Sequence, residues 1–241
     1  MNWQTLSLSL SALTIGAASL LSAPVQAATL SAGNCLGDEA NCSYNDPFFS
    51  LSASDGAGSA QLTRKTFADS TGIGVATSGT TSIYDDPSWG EIDFDETLDV
   101  TFAFAKVLDK LDLGFLYQPG VNHDRVFETA KITATLSDGS FVTETFSITG
   151  DNTGSVTGGG TVTNLSPSTP GDAGLYSLQG IFGREAILGF SVTAVEKGEN
   201  LSTQSWDSDF VVASAEAVPE PSIILGLLGV GALGAVSRRK K

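Results

Sequence analysis

The stretch KITATLSDGSFVTETFSI, residues 131–148, decides the fold class. Its first arm alternates Ile132, Ala134 and Leu136 against Lys131, Thr133 and Thr135, the period of two that turns one face of a strand toward a core. Ser137, Asp138, Gly139 and Ser140 follow. Asp-Gly is a strong hairpin-turn dipeptide because glycine accepts a positive φ without steric cost. The second arm returns with Phe141, Thr143, Thr145 and Ser147 on one side and Val142, Glu144, Phe146 and Ile148 on the other. A β-hairpin is expected here.

The same pattern recurs elsewhere. Residues 91–104 space Ile92, Phe94, Leu98, Val100, Phe102 and Phe104 evenly, and residues 111–117, 186–195 and 210–213 are further strand candidates. Between the two ends no run has the composition of a helix. Residues 150–160, rich in glycine, and 165–174, with Pro167 and Pro170, read as surface loops. The fold class expected is all-β, a β-sandwich or jelly-roll-like ectodomain over 28–217. A signal-peptide helix and a C-terminal transmembrane helix flank it.

Both ends read as addresses. Residues 6–21 form an apolar stretch of signal-peptide length, followed by Pro24, Val25, Gln26, Ala27 and Ala28. Small residues at Val25 and Ala27 fit the signal-peptidase pockets, so cleavage after Ala27 is expected. Residues 1–5 depart from the usual pattern in lacking Lys and Arg. The C-terminal segment, 218–241, begins with Pro219-Glu220-Pro221, continues through an uncharged apolar run in 222–236, and closes with Ser237, Arg238, Arg239, Lys240 and Lys241. At 1.5 Å rise, residues 223–236 span about 21 Å, short of a roughly 30 Å hydrocarbon core. Flanking serines and snorkelling Arg and Lys side chains extend the reach, and the basic end stays cytoplasmic as a stop-transfer cluster.

Tripeptide, short apolar helix and basic cluster, in that order at the extreme C-terminus, resemble the PEP-CTERM sorting signal of exported bacterial proteins. The same signature is also catalogued as an ice-binding protein C-terminal domain, which describes some carriers and not the signal. The resemblance implies recognition by an exosortase, a membrane-embedded transpeptidase-like enzyme that reads Pro219, Glu220 and Pro221 and cuts there. It covers about a tenth of the chain. Residues 91–150 are more loosely similar to the β-sandwich ectodomains that often precede this signal. The implied course is export, a precursor tethered in the inner membrane, then delivery to the cell surface or extracellular matrix.

Charge narrows the partners. The chain has 12 Lys and Arg against 27 Asp and Glu, a net of −15. Four of the basic residues are Arg238, Arg239, Lys240 and Lys241, so the ectodomain is more acidic still. Such a surface repels phosphate backbones, which argues against nucleic acid. The two cysteines, Cys35 and Cys42, are an even count at close spacing in an exported chain, which points to a local disulfide, with free thiols as the alternative.

Catalytic constellations are thin. The single histidine, His123, sits in a polar turn-like run, and no serine occupies a nucleophile elbow. A glycosidase needs two carboxylates about 5–10 Å apart, for which Glu91, Asp93 and Asp95, expected on one strand face, are candidates. Glu96, Glu128 and Glu144 cannot be placed relative to them from sequence. No enzyme activity is expected. Calcium is the better chemical candidate, because it takes hard oxygens from Asp and backbone carbonyls, and Asp93, Asp95, Asp207 and Asp209 are its expected donors. No other cofactor is indicated.

The function expected is a structural or adhesive surface component. A carbohydrate-binding matrix module is the first alternative, with extracellular polysaccharide as partner and Trp89 and Trp206 as stacking rings. A secreted glycoside hydrolase is the second. An ice-binding role would want a flat Thr array, of which Thr133, Thr135, Thr143 and Thr145 are only a suggestion; ordinary solvent-facing strand threonines account for them better.

Overall fold

The computed structural model describes residues 27–38, 41–67, 70–76, 90–121, 126–166, 174–195 and 208–220. The helices expected over 1–27 and 222–236 lie outside these residues. Among the described residues no helix is long and apolar enough to cross a membrane. The one helical turn among the described residues is a 3-10 segment, Ala32–Asn34.

The strands in chain order begin with β1 (Ala28–Ser31), β2 (Cys35–Asp38), β3 (Asn41–Tyr44), β4 (Phe49–Asp55), β5 (Gly58–Phe67) and β6 (Ser70–Ala76). Then come β7 (Thr97–Gly114), β8 (Thr129–Leu136), β9 (Phe141–Gly150) and β10 (Thr153–Val156). The last are β11 (Thr161–Asn164), β12 (Tyr176–Gln179), β13 (Ile187–Ala194) and β14 (Val211–Pro219). The fold is all-β, as expected.

The deciding hairpin forms as read. β8 and β9 pair antiparallel with Thr133 opposite Thr143 and Ala130 opposite Phe146. Gly139 takes φ 85° in the turn. The Asp138 carboxylate accepts from the Ser140 amide at 2.9 Å and from its hydroxyl at 2.6 Å, closing the reversal. Ile132, Ala134 and Phe146 are fully buried, so the alternation points where the sequence said.

Two strand candidates merge into one. The strands expected within 91–104 and 111–117 meet in β7, which runs for 18 residues and takes in 97–104 and 111–114, while 91–96 and 115–117 lie outside it. Its first half pairs with β4 on one side and β13 on the other. Its second half pairs with β14 and β12. The corner between the halves is visible in the register with β13. Thr101 faces Gly189 and Lys106 faces Ile187, so β7 carries extra residues there, and Phe104 within the corner is 72 % exposed. Bulges of this kind bend a strand and increase its twist. Gly189 is required at this place, because a Cβ on it would lie 2.3 Å from the Val100 carbonyl oxygen.

The pairings β7–β4, β4–β5, β5–β6, β6–β14 and β14–β7 close a circuit, so the 12-stranded sheet folds back on itself. From β7 an arm extends through β13, β8, β9 and β10. Inward side chains from both halves of β7 and from the arm join one core. Phe102 stacks edge-on to Phe49 at 5.5 Å and to Phe190 at 6.0 Å, and Phe146 of β9 meets Tyr176 of β12 at 5.3 Å. The glycine-rich stretch 150–160 is not wholly loop, since β10 lies in it and pairs with β9.

Cys35 and Cys42 form the disulfide and are buried. The bond ties the β2–β3 hairpin, which stands apart as a two-stranded sheet. Arg64 of β5 holds this hairpin to the body by donating to the carbonyls of Cys35 and Gly37 at 3.2 and 3.4 Å. Replacing both cysteines by serine is expected to cost about 2.5 kcal/mol through the entropy of the short loop released. Thermal melts check this: a reductant lowers the wild-type midpoint to that of the variant and leaves the variant unchanged.

Candidate functional site

The expected sorting element starts inside the sheet. β14 lies between β1 and β7, with Ala217 opposite Ala28 on one side and Leu108 on the other. Pro219 is the last residue of the strand and faces Lys106. Proline donates no amide hydrogen, so it suits the end of a ladder. The boundary expected at 217/218 therefore falls within β14, and Pro219-Glu220 leaves the domain with no linker. The first residue expected after signal-peptide removal, Ala28, begins the neighbouring antiparallel strand. Both expected processing points emerge from one end of the sheet. Glu220 is the last described residue; Pro221, Arg238, Arg239, Lys240 and Lys241 lie outside.

A second feature is a hydroxyl-covered face on the arm. Antiparallel register aligns Ser52, Asp99, Ser191, Thr133 and Thr143 across β4, β7, β13, β8 and β9. One step along, the row is Ser54, Thr97, Thr193, Lys131 and Thr145. On the other side it is Ser50, Thr101, Gly189, Thr135 and Phe141. Thr133 and Thr143 share a hydrogen bond of 3.0 Å, as do Thr97 and Thr193. A depression of about 470 Å³ opens on this face, with Asp99 in its lining and Phe141 and Leu188 among its walls. Burial raises the Asp99 pKa above its ordinary value.

The third feature is a buried acid. Glu91 is 5 % exposed and accepts a hydrogen bond from the Lys65 ammonium, which lies 5.6 Å from the centre of the Phe115 ring. Burial first, then the adjacent Asp209 carboxylate that shares a hydrogen bond with it, hold Glu91 protonated well above pH 4.5, against the pull of Lys65. Its backbone carbonyl accepts from Val75 at 3.2 Å, and the Ile92 amide donates to Phe210 at 2.6 Å. The cluster thus clips residues 90–92 to β6 and to the approach of β14.

The remaining acids do structural work. Asp93 and Asp95 do not share a strand face with Glu91, because residues 93–96 turn, with Asp95 at φ 67°. In that turn the Asp93 amide donates to the Glu96 carboxylate at 3.0 Å and the Glu96 amide to the Asp93 carbonyl at 3.1 Å. Glu144 accepts from the Thr157 hydroxyl at 2.6 Å and from the Gly158 amide, fastening the glycine-rich turn to β9. Glu128, fully buried, accepts from the Tyr117 amide. Among the described residues no three acidic, histidine or cysteine side chains are grouped to hold a metal ion. Of the expected calcium donors, Asp93 and Asp95 lie before β7, Asp209 lies beside Glu91, and Asp207 lies outside the described residues. His123, Trp89 and Trp206 lie outside them too.

Residues 217–241 match the family model of the PEP-CTERM protein-sorting motif. No curated protein and no solved structure matches the chain. The motif implies exosortase-dependent sorting to the cell surface, and its matched segment begins on β14, at Ala217 opposite Ala28.

Glu91 sets a pH dependence whose sign follows from its raised pKa. The neutral form is favoured in the fold, so this contribution is complete below 4.5 and is lost as pH rises through the raised value. Glu91→Gln keeps a neutral group in place. Urea unfolding across the range from mildly acidic to neutral pH is expected to show the wild type losing stability relative to the variant. Parallel curves would mean that Glu91 ionises in the fold without cost.

Proposed function

We propose that this chain is an exported surface protein that an exosortase sorts through Pro219, Glu220 and Pro221, and that its β-sandwich-like ectodomain serves a structural or adhesive role without catalysis. The carrying observation is the sorting motif at residues 217–241, continuous with β14. The uncharged run over 222–236 and the cluster Arg238, Arg239, Lys240 and Lys241 support a precursor held in the inner membrane with its basic end inside. Delivery to the cell surface or extracellular matrix follows release.

The non-catalytic reading draws on the acids. Glu96, Glu128 and Glu144 each accept a backbone amide, as a folding element does. Glu91 is committed to Lys65 and Asp209. The placement of the motif also fits the order of events. Ala28 and Ala217 pair, so β1 locks onto β14 beside the exit of the sorting signal, and the folded domain presents the tripeptide directly at the membrane side.

Glu220→Ala in the full-length chain is expected to block processing and leave the ectodomain folded. Intact mass and C-terminal peptide mapping of envelope and culture fluid check this. Wild-type protein begins at Ala28 and ends at or near 219–221, whereas the variant retains 238–241. Processing of the variant at the normal rate removes the exosortase reading.

A further inference from the structure

We infer that the open face of the β4–β7–β13–β8–β9 arm binds an uncharged polysaccharide chain, with Phe141 and Asp99 as its two main contacts. This deepens the adhesive half of the function proposed above by naming its partner, and rests on it only for the biological setting.

The argument begins with charge. The three aligned rows carry one acid, Asp99, and one base, Lys131, among hydroxyls contributed by all five strands. This face is close to neutral on a chain whose net charge is −15. A polyanion gains nothing here and is repelled by the rest of the surface, and a polycation finds better sites elsewhere. A neutral ligand loses nothing to that field.

Hydrogen-bonding chemistry selects further. Serine and threonine hydroxyls both donate and accept, which matches sugar hydroxyls that do the same. The Thr133–Thr143 and Thr97–Thr193 pairs fix side-chain rotamers at 3.0 Å, so less freedom is lost on binding. Asp99 stands in the middle row between Ser52 and Ser191, and no cation among the described residues pairs with it. A half-desolvated carboxylate is the strongest acceptor such a surface offers to a hydroxyl pair.

Shape and apolar surface complete the match. The depression holds about 470 Å³, room for part of a chain rather than for a buried small molecule. Phe141 is 70 % exposed on the row that also carries Thr135, and Leu188 is exposed where β13 bulges. An aromatic ring left in water beside a hydroxyl grid covers the C–H face of a sugar. A protein partner, including a second copy of this chain, would want a continuous apolar centre, and here the apolar groups sit at one rim.

The test uses the full-length protein in mild detergent on an array of neutral and acidic oligosaccharides. Capture confined to neutral chains is expected. The Phe141→Ala, Asp99→Asn double variant is expected to lose capture by about tenfold or more, the scale of one charge-assisted hydrogen bond, at an unchanged melting midpoint. Capture by no neutral chain, capture by acidic chains alone, or undiminished capture by the double variant overturns the inference. So does self-association that the double variant abolishes, which would assign the face to a second copy. Array binding is read on purified protein and sorting on cell fractions, so either can fail without the other.

Discussion

The pairing of β7 on both edges, along both halves, is the constraint on which the rest depends. A strand buried in a sheet must satisfy every amide and carbonyl, and one this long does so only by changing partners partway. β4 and β13 serve its first half; β14 and β12 serve its second. The corner between them lets the sheet fold over, so that Phe102 from one half and Leu111 and Leu113 from the other enter a single core. The circuit through β4, β5, β6 and β14 then leaves β7 with no open edge, and an edge is the part of a sheet most prone to unwanted pairing.

Each half of β7 sets up a different outer surface. Along the first half Thr97, Asp99 and Thr101 face outward and align with the serines and threonines of four neighbours. Along the second half the outward residues are charged and paired. Lys110 contacts Glu216 at 2.6 Å, and Asp112 accepts from Ser214 at 2.6 Å, which binds β14 to β7 on its solvent side as well as in the core. The hydroxyl face is available to a ligand, while the charged face is occupied in holding the last strand. That last strand carries the sorting element, so the exit of the chain is anchored where the fold is most cross-linked.

The acidity of the molecule is distributed with the same logic. Of its buried acids, Glu96, Glu128 and Glu144 accept backbone amides, Glu91 shares a hydrogen bond with Asp209, and Asp112 accepts from Ser214, while exposed acids stay in water, where mutual repulsion favours solubility. Phe115, with φ 66° and nearly full burial, marks the one place among the described residues where a large residue is held in the left-handed region. It lies at the end of β7 under Lys65, where the Glu91 cluster fixes the surrounding segments.

The hairpin at 131–148, the all-β class, the Cys35–Cys42 bond and the sorting element were determined by the sequence alone. Each depends on residues close together in the chain: an Asp-Gly turn between alternating arms, two nearby cysteines, a tripeptide followed by its apolar run. Strands β1 to β6 were not legible, because Ala28–Ser31 is too short and Gly58–Phe67 too polar for alternation to declare a buried face without knowing the partner. The continuity of β7 was hidden by its corner, and the strand face assumed for Glu91, Asp93 and Asp95 was broken by a left-handed Asp95. Only the tertiary structure decided which hydroxyls meet. Asp99 gains Ser52 and Ser191 as neighbours from two other strands, and register across a sheet is set by long-range packing that no local pattern encodes.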